Sequence, residues 1–124
     1  MAAHNELGKL GEQKAADFLR AKGYRILAQN WRFHHKEVDV IAMDGSVLVV
    51  AEVRTRSGDS AEILHPRDSI GPMKIRYLVL AADHYVRYTR FDGRVRFDVL
   101  SCLPKPDGTW EIEHLEAAFT AQAE

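Results

Sequence analysis

The chain has a single cysteine, Cys102, so it can form no intrachain disulfide and its composition fits a reducing compartment. No apolar run approaches the length of a membrane span. The opening MAAHNELGKL lacks an apolar core, so no secretion signal is expected there. Internal repeats and low-complexity tracts are missing as well. These absences point to a cytoplasmic protein with no membrane partner. Positive charge is not in excess either, since the formal net charge is −1. That removes a global signature of nucleic-acid binding without excluding the function, because local patches do the binding. With 46% hydrophobic and 28% charged residues, 124 residues suit one soluble domain with a sizeable core.

What is present centres on residues 37–54. Glu37 to Met43 and Val47 to Arg54 read as two strands, and Asp44-Gly45 between them is a strong hairpin signal because both residues tolerate positive φ. A two-residue turn there sets Met43 against Ser46, Glu37 against Glu52 and Asp39 against Val50. Opposed residues share a face, so Glu37, Asp39, Glu52 and Arg54 crowd one end of one face. Two readings follow from pattern alone. The carboxylates hold a hard divalent cation, Mg²⁺ or Mn²⁺. Otherwise they form a solvated sheet end paired with Arg54, Arg56 and Lys36.

Asp39 followed, beyond a twelve-residue gap, by Glu52-Val53-Arg54 resembles the D…(D/E)xK signature of restriction-endonuclease-like nucleases. The surroundings extend the likeness: Gly8-x-x-Gly11-Glu12, Ala15, Gly23-Tyr24, Asn30, the run from Glu37 to Ala42, Glu52 to Arg56, Lys74, and Arg96-Phe97-Asp98-Val99. In order and spacing these resemble the YraN-like family, whose members are similar to Holliday-junction resolvases. The resemblance covers about residues 6–119, with two departures. Arg54 stands where the motif has Lys, and Lys36 where a Gly usually precedes the first acid. It implies a restriction-endonuclease-like α/β/α sandwich with a central mixed β-sheet. It also implies metal-dependent phosphodiester cleavage, with DNA the leading substrate and flapped or branched forms among the candidates. A homodimer is left open, because junction-cutting relatives work in symmetric pairs.

Along the chain, residues 5–22 read as an amphipathic helix capped by Asn5 and Gly23. Leu7, Leu10, Gly11, Ala15, Phe18 and Leu19 share its apolar face, with Glu12 at the border. Gly8 and Gly11 weaken that helix by about 1 kcal/mol each relative to Ala, which close approach to the sheet would offset. Tyr24 to Phe33 reads as a strand. His34-His35 reads as an exposed turn near a polyanion rather than a zinc site, because adjacent residues of an extended chain point opposite ways. Residues 55–71 form a long irregular connection of the kind that is usually functional or mobile. Pro72 to Tyr88 is a second helix with Pro72 at its first position, and Lys74 falls on its buried half. Arg94 to Leu103 is a strand, and Trp110 to Leu115 an edge strand. The order α-β-β-β-α-β-β gives a single domain over 5–119 with 120–124 a frayed tail.

The expected site follows. Asp39 and Glu52 hold Mg²⁺ or Mn²⁺, helped by Glu12 and the Val53 carbonyl, with Glu37 in support. Arg54 pairs with an acid, for which Glu37 is nearest by register, and Lys74 supplies the ammonium that the motif lacks. Lys36, Arg56 and Arg67 contact phosphates. The alternatives are a nuclease-fold module that binds nucleic acid or a DNA-processing partner without cutting, favoured by Arg54, and a plain protein adaptor.

Overall fold

The computed structural model describes residues 2–56 and 70–121, with side chains described from Glu6 onward. Most of the connection read over 55–71, including Arg67, lies outside the described residues. The elements run α1 (Ala2–Ala21), β1 (Arg25–Phe33), β2 (Lys36–Asp44), β3 (Val47–Thr55), α2 (Pro72–Thr89), β4 (Val95–Pro104) and β5 (Trp110–Phe119). The strands form one sheet in the order β1-β2-β3-β4-β5. Among the described residues only β3 and β4 run parallel, and α2 lies between them in the chain. A parallel pair needs such a crossover, whereas the antiparallel neighbours are joined by turns. Ala15 and Leu19 of α1 pack with Val40, Ala42, Val49, Ala51 and Val53. Leu78, Ala81, Ala82 and Tyr85 of α2 pack with Ile41, Leu48, Val50 and Phe97. Successive β3 residues thus serve opposite helices, as a pleated strand buried on both faces requires. The result is the expected α/β sandwich, a five-stranded mixed sheet flanked by two helices.

Helix α1 begins at Ala2, so Asn5 lies inside it and is no cap. Its other end is as expected. Gly23 takes φ +96°, its N–H bonds Arg20 O, and the Tyr24 N–H bonds Leu19 O. That pair of bonds is the Schellman arrangement, and Leu19 and Tyr24 meet in the core beneath it. Leu10 is 46% exposed, off the packing face assigned to it. Gly11 does permit close approach, since a Cβ there would strike the Thr55 side chain, whereas Gly8 faces open space. Strand β5 continues past Leu115 to Phe119, with Phe97 opposite Phe119.

The hairpin register differs from the expected one. Asp44 pairs with Val47 and Met43 with Leu48, so the turn is Gly45-Ser46. Gly45 has φ +59° and Ser46 is not left-handed, as in a turn with Gly at the first central position. Asp44 is kept in the strand because its carboxylate accepts from Arg96 Nη1 at 2.9 Å, a partner on β4. The β2–β3 ladder ends at Val40↔Ala51, while β3 stays paired to β4 as far as Thr55↔Cys102. At this opening Val38 and Val40 join different cores, so the alternation of β2 breaks at Asp39.

Candidate active site

Asp39 stands where the two strands part. Its Oδ2 accepts the Val53 N–H at 2.8 Å, a backbone donor that the ladder no longer uses. Carrying the register one step past Val40↔Ala51 sets Asp39 against Glu52, not against Val50 as expected. Ala51 and Val53 face α1, so Glu52 between them faces α2. There it is only 3% exposed. Its Oε2 lies 3.6 Å from Arg54 Nε and its Oε1 3.6 Å from Lys74 Nζ. Neither separation is a hydrogen bond, and Oε1 is buried with no hydrogen-bond partner among the described residues.

This environment disfavours negative charge. Burial, then the neighbouring Glu52 carboxylate, pushes the Asp39 carboxyl up to about 8. Glu12 adds to the rise, while the Val53 N–H and Lys74 oppose it without prevailing. Lys74 reaches inward from the first turn of α2, the sector where helical spacing put it. Its ammonium also lies 5.8 Å from the centroid of the Tyr77 ring.

The other expected members are less convergent. Among the described residues no three His, Cys, Asp or Glu side chains gather as a metal cage. Glu12 is near enough to act on Asp39, but its Oε1 accepts from Asn30 Nδ2 at 2.9 Å, which holds it against β1. Asn30 is the residue whose role the sequence reading missed. The sequence signal is an Asn inside the strand run RILAQNWRF, and its backbone takes φ +52°, a left-handed conformation uncommon outside Gly and favoured by Asn. Glu37 is not the partner of Arg54. It lies opposite Arg32 on β1, with Arg32 Nη1 3.6 Å from its Oε2, and is exposed. Arg54 does approach an acid in the absence of metal, but that acid is Glu52. Arg56 follows β3, anchored by its N–H to Cys102 O at 2.8 Å. Lys36 opens β2 and lies 5.6 Å from the Tyr77 ring centroid.

A cleft of about 830 Å³ opens beside the cluster, with Glu12, Asn30, Glu37, Val53 and Arg54 among its walls. Asp39 and Glu52 are not among its lining residues. The donor set still fits a hard divalent cation. Two carboxylates stand side by side, one raised in pKa and the other carrying a buried, unbonded oxygen. Mg²⁺ is commonly held by one or two protein carboxylates, with water and substrate phosphate completing its shell, so a third acid is not required. Among the described residues no helix is long and apolar enough to cross a membrane.

Comparison with known proteins agrees over almost the whole chain. A UPF0102 protein of Christiangramia forsetii is 46% identical over 119 residues, covering 96% of this chain and 98% of that protein. A UPF0102 protein of Parabacteroides distasonis is 45% identical over 121 residues, covering 98% of both. One from Porphyromonas gingivalis is 42% identical over 120 residues, covering 96% of this chain and 87% of that protein. Residues 11–102 match the family model described as uncharacterised protein family UPF0102. That span holds Glu12, Asp39, Glu52, Arg54 and Lys74 together, and the YraN-like resemblance of the motifs is borne out: the chain belongs to the uncharacterised protein family UPF0102.

Proposed function

We propose that this chain is a divalent-metal-dependent nuclease that hydrolyses a phosphodiester of nucleic acid, DNA in the first instance. The observation that carries the reading is the opened end of the β2–β3 ladder. There Asp39 and Glu52 are held together against the cost of charge repulsion and burial, with one Glu52 oxygen left unbonded. A folded protein keeps such a pair at a cost in stability. Asp39, Glu52 and the Val53 carbonyl would hold Mg²⁺ or Mn²⁺. When bound, the cation supplies Lewis-acid polarisation of a phosphoryl oxygen and neutralises its charge.

The remaining work belongs to the chain's own groups. Lys74 is an ammonium at the edge of the acid pair, placed to stabilise negative charge growing on the phosphoryl oxygens. Arg54 adds a second cation but no base, because a guanidinium stays protonated at any working pH. Glu12, oriented by Asn30, adds negative charge at the cleft wall and raises the site's demand for a cation. Lys36 and Arg56 flank the cluster at strand ends, where backbone phosphates would pass.

A second reading has its own observation. Arg54 Nε lies 3.6 Å from Glu52 Oε2, so the guanidinium competes with a cation for that carboxylate. This favours a module of nuclease fold that binds nucleic acid without cutting it. Calorimetric titration with Mg²⁺ and Mn²⁺, followed by cleavage assays on linear, flapped and four-way DNA, separates the two. The nuclease reading expects saturable Mn²⁺ binding that Asp39→Asn abolishes, together with slow Mn²⁺-dependent cleavage. Binding of DNA with no cleavage of any form would leave the second reading standing.

A further inference from the structure

A second concavity, of about 610 Å³, lies between the β1–β2 turn and the outer side of α2. That volume is within the range of small-ligand sites, roughly 300–1,000 Å³. Its walls are aromatic and basic. Phe33 is the hub: its ring centroid lies 5.7 Å from Tyr77, 5.2 Å from His84 and 4.3 Å from His34. Arg32, Lys36 and Arg87 bring three cations to the lining; Arg87 Nε donates to Asp83 at 3.0 Å and Arg32 lies 3.6 Å from Glu37, both exposed pairs weak enough for a phosphate to displace. His34 is held at φ +60°, in the left-handed region uncommon for a residue with a side chain. That turn keeps its ring beside Phe33. Tyr77 ties the groove to the acid cluster. The Tyr77 hydroxyl donates to Phe33 O at 3.0 Å, fixing helix to strand. The same Tyr77 ring has Lys36 Nζ at 5.6 Å and Lys74 Nζ at 5.8 Å from its centroid, and Lys74 is the ammonium beside Glu52.

We propose that this groove takes an unpaired nucleotide base next to the phosphodiester handled at Asp39 and Glu52, so that the substrate class is single-stranded or flapped nucleic acid. The choice of nucleic acid as ligand rests on the nuclease reading, and the groove narrows the substrate within it. Aromatic rings at the wall of a concave site accept a base by its face, and a base inside a duplex has both faces stacked already. Stacking on protein aromatics beside cations that follow the backbone is the way unpaired strands are bound without sequence preference. Arg32, Lys36 and Arg87 are the cations for that backbone, and Phe33, Tyr77 and His84 the rings for the base.

The test is fluorescence anisotropy of end-labelled strands with the full chain in EDTA, where no cleavage competes. The probes are oligo(dT), oligo(U), an abasic strand of equal length and a blunt duplex. Either oligo(dT) or oligo(U) should bind about 10-fold or more tightly than the abasic strand and the duplex. His84→Ala, an exposed change, and Phe33→Leu should each loosen that strand about 10-fold. Should Phe33→Leu fail to fold, His84→Ala carries the test. Equal binding of the abasic strand, or a His84→Ala protein that binds as the parent does, overturns the groove. Docking by another protein at this turn would leave all four probes unbound, which overturns it too. Cleavage with Mn²⁺ is scored apart. A strand held through its bases but never cut keeps the groove and removes the nuclease reading. A duplex cut with no preference for an unpaired base removes the groove and keeps the nuclease.

Discussion

Asp39 and Asp98 are placed alike and treated in opposite ways. Each stands where a strand ladder is interrupted, and each accepts a backbone N–H that the ladder leaves over: Val53 at 2.8 Å for Asp39, Ala117 at 3.0 Å for Asp98. The similarity ends with their neighbours. Asp98 is fully buried and takes both arms of Arg96 at 2.9 Å and the His114 ring at 2.8 Å. Burial works to raise its pKa, but His114, Arg96 and the Ala117 N–H outweigh it and hold the carboxyl below its usual range. Arg96 is shared in turn with Asp44 and with the Tyr24 hydroxyl at 2.7 Å. Asp39 is only partly buried, yet its nearest charged neighbours include Glu52 and Glu12, and its carboxyl is raised to about 8. Burial works to raise both carboxyls; what separates them is that hydrogen bonds and opposite charge outweigh it at Asp98, whereas a second carboxylate adds to it at Asp39. A satisfied acid braces the sheet. An unsatisfied acid at a cleft is a candidate for binding what the fold does not supply.

The largest effect should come from breaking the satisfied member. Asp98→Ala strips Arg96 of its bidentate partner and leaves a partly buried guanidinium short of hydrogen bonds. It should cost about 3–5 kcal/mol, the range for removing one side of a buried pair, read as a lower urea midpoint at pH 7. A midpoint unchanged by the mutation would erase the contrast between the two aspartates.

Asp39→Asn should act in the other direction. The folded carboxyl titrates near 8 and an unfolded one at about 4. Between those values the folded state binds the extra proton, so parent stability falls as pH rises through that window and levels off above it. The asparagine removes that penalty. It should stabilise the fold by about 1–3 kcal/mol at pH 9 and by nearly nothing at pH 4. Urea melts at the two pH values check this, and a mutant less stable than the parent at pH 9 refutes it.

Exchanging the cation beside Glu52 should have a smaller effect. Arg54→Lys removes the planar fork that competes for the carboxylate and should raise Mn²⁺-dependent cleavage about 10-fold, equivalent to about 1.4 kcal/mol of barrier. Lys74→Ala should then slow the parent more than it slows the Arg54→Lys protein, because two ammonium groups would share the role. Equal rates for parent and Arg54→Lys would mean that Arg serves there as well as Lys.

The smallest effect should fall on an acid outside both clusters. Among the described residues Glu37→Gln breaks one exposed ion pair, that with Arg32, which is 3.6 Å long. It should change stability by less than about 0.5 kcal/mol. A larger loss of stability, or loss of Mn²⁺ binding, would return Glu37 to the site.

Much of this arrangement is local and therefore legible in the chain. Helical spacing put Lys74 on the buried sector of α2, Pro72 marked its start, and Gly23 closed α1 because a left-handed C-cap has few other occupants. The structure, not the chain, set Glu52 against α2 and made β3 and β4 a parallel pair across that helix. The pairing of Asp39 with Glu52 was decided elsewhere. Turn chemistry alone favoured Asp44-Gly45, but Arg96, 52 residues further on, holds Asp44 in the strand and moves the turn one residue along. Carried one step further, that register sets Asp39 against Glu52, while Glu37 meets Arg32 through the separate β1–β2 ladder. In the same way Asn30, not sequence spacing, sets where Glu12 points, and Glu52 takes the place of Glu37 beside Arg54. Periodicity records which face a residue takes, because each residue carries that information in its own side chain. Which acid meets which cation is a property of contacts between strands, and only the assembled sheet brings those groups within reach.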